Sequence, residues 1–336
     1  GDGEASIVGS ELIKNWEKNC KNKLIPNPEN VWTTTLNFTP RCLWTIDEKG
    51  NVKRIPLART PNWKVDNFDD IKSQWWIWTN PKKPFDNFYQ DKSGKQFNMG
   101  IDTEHIKGDP NYFKGALVWS EYGWVMGTPF PSKIIAVDTQ NSAIAFGGQW
   151  SSAPGTTKII RNCRYYLEDK PQYLDDPEGE FWFEKAGSGG ILYLRSPQNH
   201  DPNKLHIEAA KYLNLIDAEN LNNIEISGLS FKFTNVFWEL DAPPFANKDV
   251  DPACIRLLGS GKNITIKNCK FEHVNMPIRM KAIKDNDIID DIKISDNYIA
   301  FTDYGAFLIE DGGGWGKTNE EVGRLFDVKI LRNNLY

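Results

Sequence analysis

The chain has 336 residues, 40% hydrophobic and 25% charged, with a formal net charge of −5. That length can bury the core of one large or two ordinary domains. The negative balance, with no Lys/Arg-rich block, argues against a general attraction to nucleic acid or an anionic membrane, and no apolar run is long enough to span a bilayer.

Gly1-Asp2-Gly3-Glu4 reads as a trimmed or engineered start, so the missing leader says nothing of the native precursor. Residues 10–205 then read as short strands with many turns, a β-rich insert domain. Ser10 to Asn19 is expected to give one short helical turn. Strands are expected at Val31–Leu36, Arg41–Ile46, Ala116–Trp119 and Lys133–Val137, with a turn at Asp47–Asn51 and a loop around the two prolines of Asn80–Pro84. Tyr165–Asp169 reads as a second short helix. Asp175–Glu180 is a tight turn before strands Phe181–Phe183 and Ile191–Leu194.

Residues 206–336 carry a pattern that returns four times. It runs Ile224-Glu225-Ile226-Ser227-Gly228-Leu229-Ser230-Phe231, then from Ile264 to Phe271, from Ile292 to Ile299 and from Val328 to Leu335. Each copy is an apolar-polar-apolar strand, a corner, and another inward apolar residue. Alternation with period two marks a half-buried strand, and recurrence at spacings of 40, 28 and 36 residues marks a solenoid with loops at its corners. The fold class expected is all-β, a parallel β-helix.

Second strands lie between the copies at Cys254–Leu258, Pro277–Lys281 and Ala306–Glu310, aligned at Ile255, Ile278 and Phe307. Alternate residues point to opposite faces. With Ile255, Leu257, Ile278, Met280, Phe307 and Ile309 inward, Arg256, Arg279, Lys281 and Glu310 turn outward to solvent. This row of cations ending in a carboxylate is the candidate ligand surface. The chain stops at Asn333-Asn334-Leu335-Tyr336 inside a strand copy. The expectation is that a further polypeptide segment, or a second chain, caps this open edge.

Five scattered cysteines have no CxxC spacing, which speaks against a zinc or redox motif, and Cys254 and Cys269 fall at inward strand positions. Thirteen tryptophans are a high count. Trp75, Trp76 and Trp78 cluster, as do Trp119, Trp124, Trp150 and Trp182. They either stack on sugar rings or fill thick packing between layers.

Several segments resemble secreted polysaccharide-degrading proteins with a right-handed parallel β-helix, in the manner of glycoside hydrolase family 141 and its neighbours. The motifs that carry the resemblance are Leu57-Ala58-Arg59-Thr60-Pro61-Asn62, Tyr166-Leu167-Glu168-Asp169 through Gly179–Phe183, and Gly190–Pro197. Asp251–Arg256 and Ile309-Glu310-Asp311-Gly312-Gly313 complete the set. The resemblance implies a β-rich insert within the early coils and a secreted or periplasmic enzyme acting on a complex, plant-type polysaccharide. It implies no organic cofactor. The resemblance implies that the first and later coils lie outside this segment, and part of the acidic pair is expected beyond Tyr336.

Glycoside hydrolysis needs two carboxyl groups flanking the scissile bond. The catalytic candidates are Glu310 and Asp311. Being adjacent on a strand they face opposite ways, so one would pair with a carboxylate such as Asp303, Asp249 or Asp251 on a neighbouring coil. For Glu310 the plain alternative is a salt bridge to Lys281. Substrate contacts are assigned to Arg256, Arg279, Lys281, Asp251 and His273, with Trp315 of the Gly312–Gly316 loop as a stacking lid. His273 reads more readily as a surface or packing residue, and Trp315 equally as the packing residue of a wide solenoid turn. The run Asp285–Asp291 offers oxygens to calcium but lacks EF-hand order; no other metal site is expected. Two further function classes stay open. One is a polysaccharide lyase using Arg256, Arg279 and Lys281 against a uronate. The other is a non-catalytic carbohydrate-binding β-helix or adhesin.

Overall fold

The computed structural model describes residues 5–65, 67–79, 88–122, 129–148, 159, 162–238, 240, 251–311 and 323–336. Among them the protein is all-β, and the one α-helix is the single turn Pro110–Phe113, capped by the Asp109 carboxylate accepting from the Asn111 N–H.

Two parallel ladders organise the C-terminal part. In the first, Leu229–Lys232, Lys270–Val274, Tyr298–Thr302 and Asn334–Leu335 lie side by side. In the second, Ile216–Ser227, Ile255–Lys267, Ile288–Ser295 and Val328–Leu331 stack with Ile224, Ile264, Ile292 and Val328 in register. The repeated pattern therefore places equivalent residues opposite one another. Ile264, Ile266, Phe271, Ile292 and Ile294 are buried in one core with Cys254 and Cys269. Phe231 and Phe271 stack with ring centroids 4.9 Å apart. Burying each such side chain contributes about 1.5–3 kcal/mol.

The corners repeat as faithfully as the strands. Gly228, Asn268, Asp296 and Arg332 all take positive φ, between 51° and 68°. Asn223, Asn263, Asp291 and Asp327, each just before a strand copy, also take positive φ, between 42° and 56°. Glycine, Asn and Asp tolerate this left-handed conformation best, which is why the corners collect them. Asn297 ties three layers: it accepts from the Cys269 N–H (2.9 Å) and donates to the Ile266 carbonyl (3.1 Å) and to Asn333 Oδ1 (2.8 Å).

One parallel strand comes from the other end of the chain. Ala5–Val8 pairs in register with Leu229–Lys232, setting Ile7 opposite Phe231. Four residues give too short a pattern to suggest this partner.

Between these parts the strands are antiparallel. Val31–Leu36 joins the hairpin of Glu180–Ala186 and Gly189–Arg195. Leu43–Ile46, Val52–Ile55 and His206–Ala210 form a second sheet. The Asp47–Asn51 turn closes on the Asp47 carboxylate, which accepts from the N–H groups of Lys49 (2.9 Å) and Asn51 (2.8 Å).

Two helix expectations are corrected. Ser10–Leu12 is a strand on His206–Ala210, and Arg164–Glu168 is a strand between Arg59–Thr60 and Leu117–Ser120. Tyr165 and Leu167 face one core while Tyr166 and Glu168 are buried on the other face. Burial on both faces removes the alternation that marks a strand. Trp78 stacks on Tyr165 (3.5 Å) inside that core and is packing, not surface. The Asn80–Pro84 loop, Trp124 and Trp150 lie outside the described residues.

Candidate functional site

The outward row has the expected register. Arg256 lies opposite Arg279, and Lys281 opposite Glu310. Its exposure is corrected: Arg279 is 0% exposed. Its guanidinium donates to Asp251 Oδ1 (3.2 and 3.3 Å), to Glu310 Oε2 (2.7 Å) and to the carbonyls of Met280 and Leu308. Two carboxylates and two carbonyls satisfy the donors that burial takes from water. Arg256 is closed by a two-pronged pair with Asp217 at 2.8 and 2.7 Å. Lys281 reaches Glu310 only at 3.7 Å. Glu310 thus serves chiefly as a counter-ion to Arg279, and Asp311 is an exposed residue just past the strand. Trp315 and Asp249 lie outside the described residues.

His273 sits elsewhere, at a corner where its ring lies between Phe233 (5.7 Å) and Phe301 (4.6 Å) with the edge of Trp44 beside it. Burial holds its imidazole below the ordinary value, with Glu272 opposing, which favours the neutral ring. In the Asp285–Asp291 run, Asp287 accepts from Ser260 and two backbone N–H groups, and Asp290 pairs with Lys262 at 3.1 Å.

A cleft of about 920 Å3 opens where the antiparallel sheets meet the parallel ladders. Cross-strand pairing builds its floor. Arg59 lies opposite Glu168, and Trp119 opposite Tyr166. Since alternate residues share a face, Tyr166 and Glu168 turn to the cleft while Tyr165 and Leu167 turn to the core. Trp119 and Tyr166 stack at 6.0 Å and 4°. The far wall comes from Asp303 and Tyr304, held by N–H bonds to the carbonyls of Val274 and Asn275.

Two carboxyls line this cleft. One Glu168 oxygen accepts from Trp119 Nε1 at 2.6 Å. Burial raises the Glu168 carboxyl from its ordinary value, while Arg41 and the Trp119 bond pull the other way. Asp303 pairs with Arg54, and its other oxygen, Oδ2, is buried without a hydrogen-bond partner. Arg54 also donates to Cys42 Sγ (2.8 Å). Arg41 pairs with Asp169 at 2.7 Å, and Lys64 with Asp176 at 2.5 Å. The Arg59 guanidinium lies 4.0 Å over the Trp63 ring and donates to the Trp63 carbonyl (2.7 Å). Trp238 adds another aromatic face, edge-on to Trp119 at 5.2 Å.

This arrangement can present a carboxyl whose proton affinity burial raises, a second carboxyl with a cation beside it, and flat apolar faces for ring C–H groups. Reading the sequence for outward charges on the ladders missed most of it. Arg59, Tyr166 and Glu168 fall inside motifs that carry the family resemblance, and Asp303 was weighed only as a partner for Glu310. Arg41 and Arg54 have no local signal.

No protein-family model and no curated protein matches the chain. A solved structure described as the complex of XylC with xylose aligns with 99% of this chain at 10% identity and a TM-score of 0.29. This chain covers 54% of that one, about half its length. A likeness so slight carries no inference about chemistry.

Proposed function

We propose that the chain is part of a carbohydrate-active enzyme on a right-handed parallel β-helix, a glycoside hydrolase that takes a polysaccharide chain into the cleft lined by Glu168 and Asp303. The observation that carries this reading is the Glu168 carboxyl on the floor of an aromatic-lined cleft, raised by burial toward the proton-donor form and facing the same space as Asp303. A general acid needs that state near neutral pH. Glu168 protonates the leaving oxygen, and Asp303 is the second carboxyl. Trp119, Trp238 and Tyr304 cover the ring faces. A polymer substrate places the enzyme outside the cytoplasmic membrane, secreted or periplasmic.

The test is release of new reducing ends from a polysaccharide panel. Glu168→Gln keeps the acceptor for Trp119 and removes the proton; kcat is expected to fall about 10²–10⁴-fold with folding intact. Undiminished turnover would remove Glu168 from the chemistry. Glu310→Gln in parallel asks whether the Arg279 counter-ion has a further role. The surplus of cations along the cleft favours a second reading, β-elimination on a uronate polymer. Products with the ultraviolet absorbance of an unsaturated uronate would select it. Binding with no new ends at all would select a non-catalytic module.

A further inference from the structure

Five cationic side chains line the cleft: Arg41, Lys53, Arg54, Arg59 and Lys64. Three are answered by acids, Arg41 by Asp169, Arg54 by Asp303, and Lys64 by Asp176 and Glu178. Among the described residues no carboxylate lies within 4.0 Å of Arg59 or of Lys53. Lys53 is exposed and solvated, so its lack of a partner costs little.

Arg59 is different. Among the described residues its Nε is buried with no acceptor, and its one side-chain hydrogen bond goes from a terminal nitrogen to the Trp63 carbonyl. A guanidinium offers five donors in a rigid plane; here the buried Nε is unmet, and the terminal nitrogen not bonded to Trp63 has no protein acceptor among the described residues. Leaving the buried donor unmet is costly, and a ligand in the cleft would answer it. The Trp63 ring at 4.0 Å fixes the plane of the fork, and the opposite strand sets Arg59 beside Glu168.

We propose that Arg59 is a carboxylate-binding subsite, and that the cleft therefore takes an acidic saccharide carrying a uronate beside the bond facing Glu168. The planar fork suits a carboxylate, which accepts two parallel N–H bonds. Trp119 and Trp238 supply the apolar faces for the ring. The substrate class rests on the saccharide reading of the same cleft, but its test does not need turnover.

Calorimetric titration of the whole chain compares galacturonate and glucuronate oligosaccharides, their methyl esters, and the corresponding neutral oligosaccharides. The free acids are expected to bind at least tenfold more tightly than the esters, with affinity falling as salt rises. Arg59→Ala is expected to weaken acid binding by about ten- to a hundredfold and leave ester binding unchanged. Arg59→Lys is expected to restore only part, since an ammonium is a point charge without the fork. The ester comparison needs no variant, so it holds even if Arg59→Ala unfolds. Equal binding of acid and ester, or acid binding indifferent to Arg59, overturns the subsite. A neutral glycan cleaved in a Glu168-dependent way would overturn it while leaving the hydrolase reading in place. Arg59-dependent binding of inorganic phosphate with no saccharide bound would overturn both.

Discussion

Glu180 gives the sharpest physical test of the packing behind the cleft. It opens strand Glu180–Ala186 and is 0% exposed. One oxygen accepts from the Arg59 N–H at 3.3 Å, and the other from the N–H groups of Asp175 (3.3 Å) and Asp176 (3.2 Å). These bonds are long, and burial outweighs them, pushing its carboxyl from 4.5 up to about 8. Between those values the folded protein holds a proton that the unfolded chain has released. Stability is therefore fully present below pH 4.5 and is lost as pH rises toward 8, by about 1.4 kcal/mol per pH unit, or about 5 kcal/mol in all. Glu180→Gln removes the titration but turns one acceptor into a donor facing a backbone N–H. Near pH 5 its urea unfolding free energy should fall below wild type by about 1–3 kcal/mol. Between pH 5 and pH 8 the variant should gain about 2–4 kcal/mol relative to wild type, as wild type loses the contribution of its bound proton. Taking the difference between the two proteins at each pH cancels every other titrating group. A difference that stays constant across this range refutes the reasoning.

The two arginines of the outward row should behave unequally. Arg279→Met strands Asp251 and Glu310 and should cost about 2–4 kcal/mol in urea unfolding, somewhat below a fully buried pair because the Glu310 side chain, 39% exposed, can rehydrate. Arg256→Ala breaks a pair open to water and should cost less than about 1 kcal/mol; equal losses would contradict the burial argument. Asn297→Ala removes a group that ties three layers, at about 2–4 kcal/mol. Hydrogen exchange at the Cys269 amide should rise at least roughly tenfold, and an unchanged rate would mean that the tie is dispensable.

The stacked part of the fold was legible in the chain itself. Ile264-Thr265-Ile266 alternates because one face of its strand is buried, and the inward sets at Ile255, Ile278 and Phe307 align in the register observed. Corner residues Gly228, Asn268 and Asp296 could also be read, since few side chains tolerate their backbone angle. These are local signals, carried by neighbours along one strand or turn. Tyr165–Glu168 was not legible as a strand, because burial on both faces erases alternation. Nor could charge pattern tell that Arg279 is buried, since outward on a ladder means solvent only where nothing covers the ladder, and Asp251 and Glu310 close over it. The cleft depended wholly on tertiary structure. Arg54 and Asp303 are 249 residues apart, and Arg59, Trp119 and Glu168 come from three separate strands. A strand's own sequence records which of its faces is apolar, but not which distant side chain it meets; that is decided only when sheets pack and the same charges become partnered or left open.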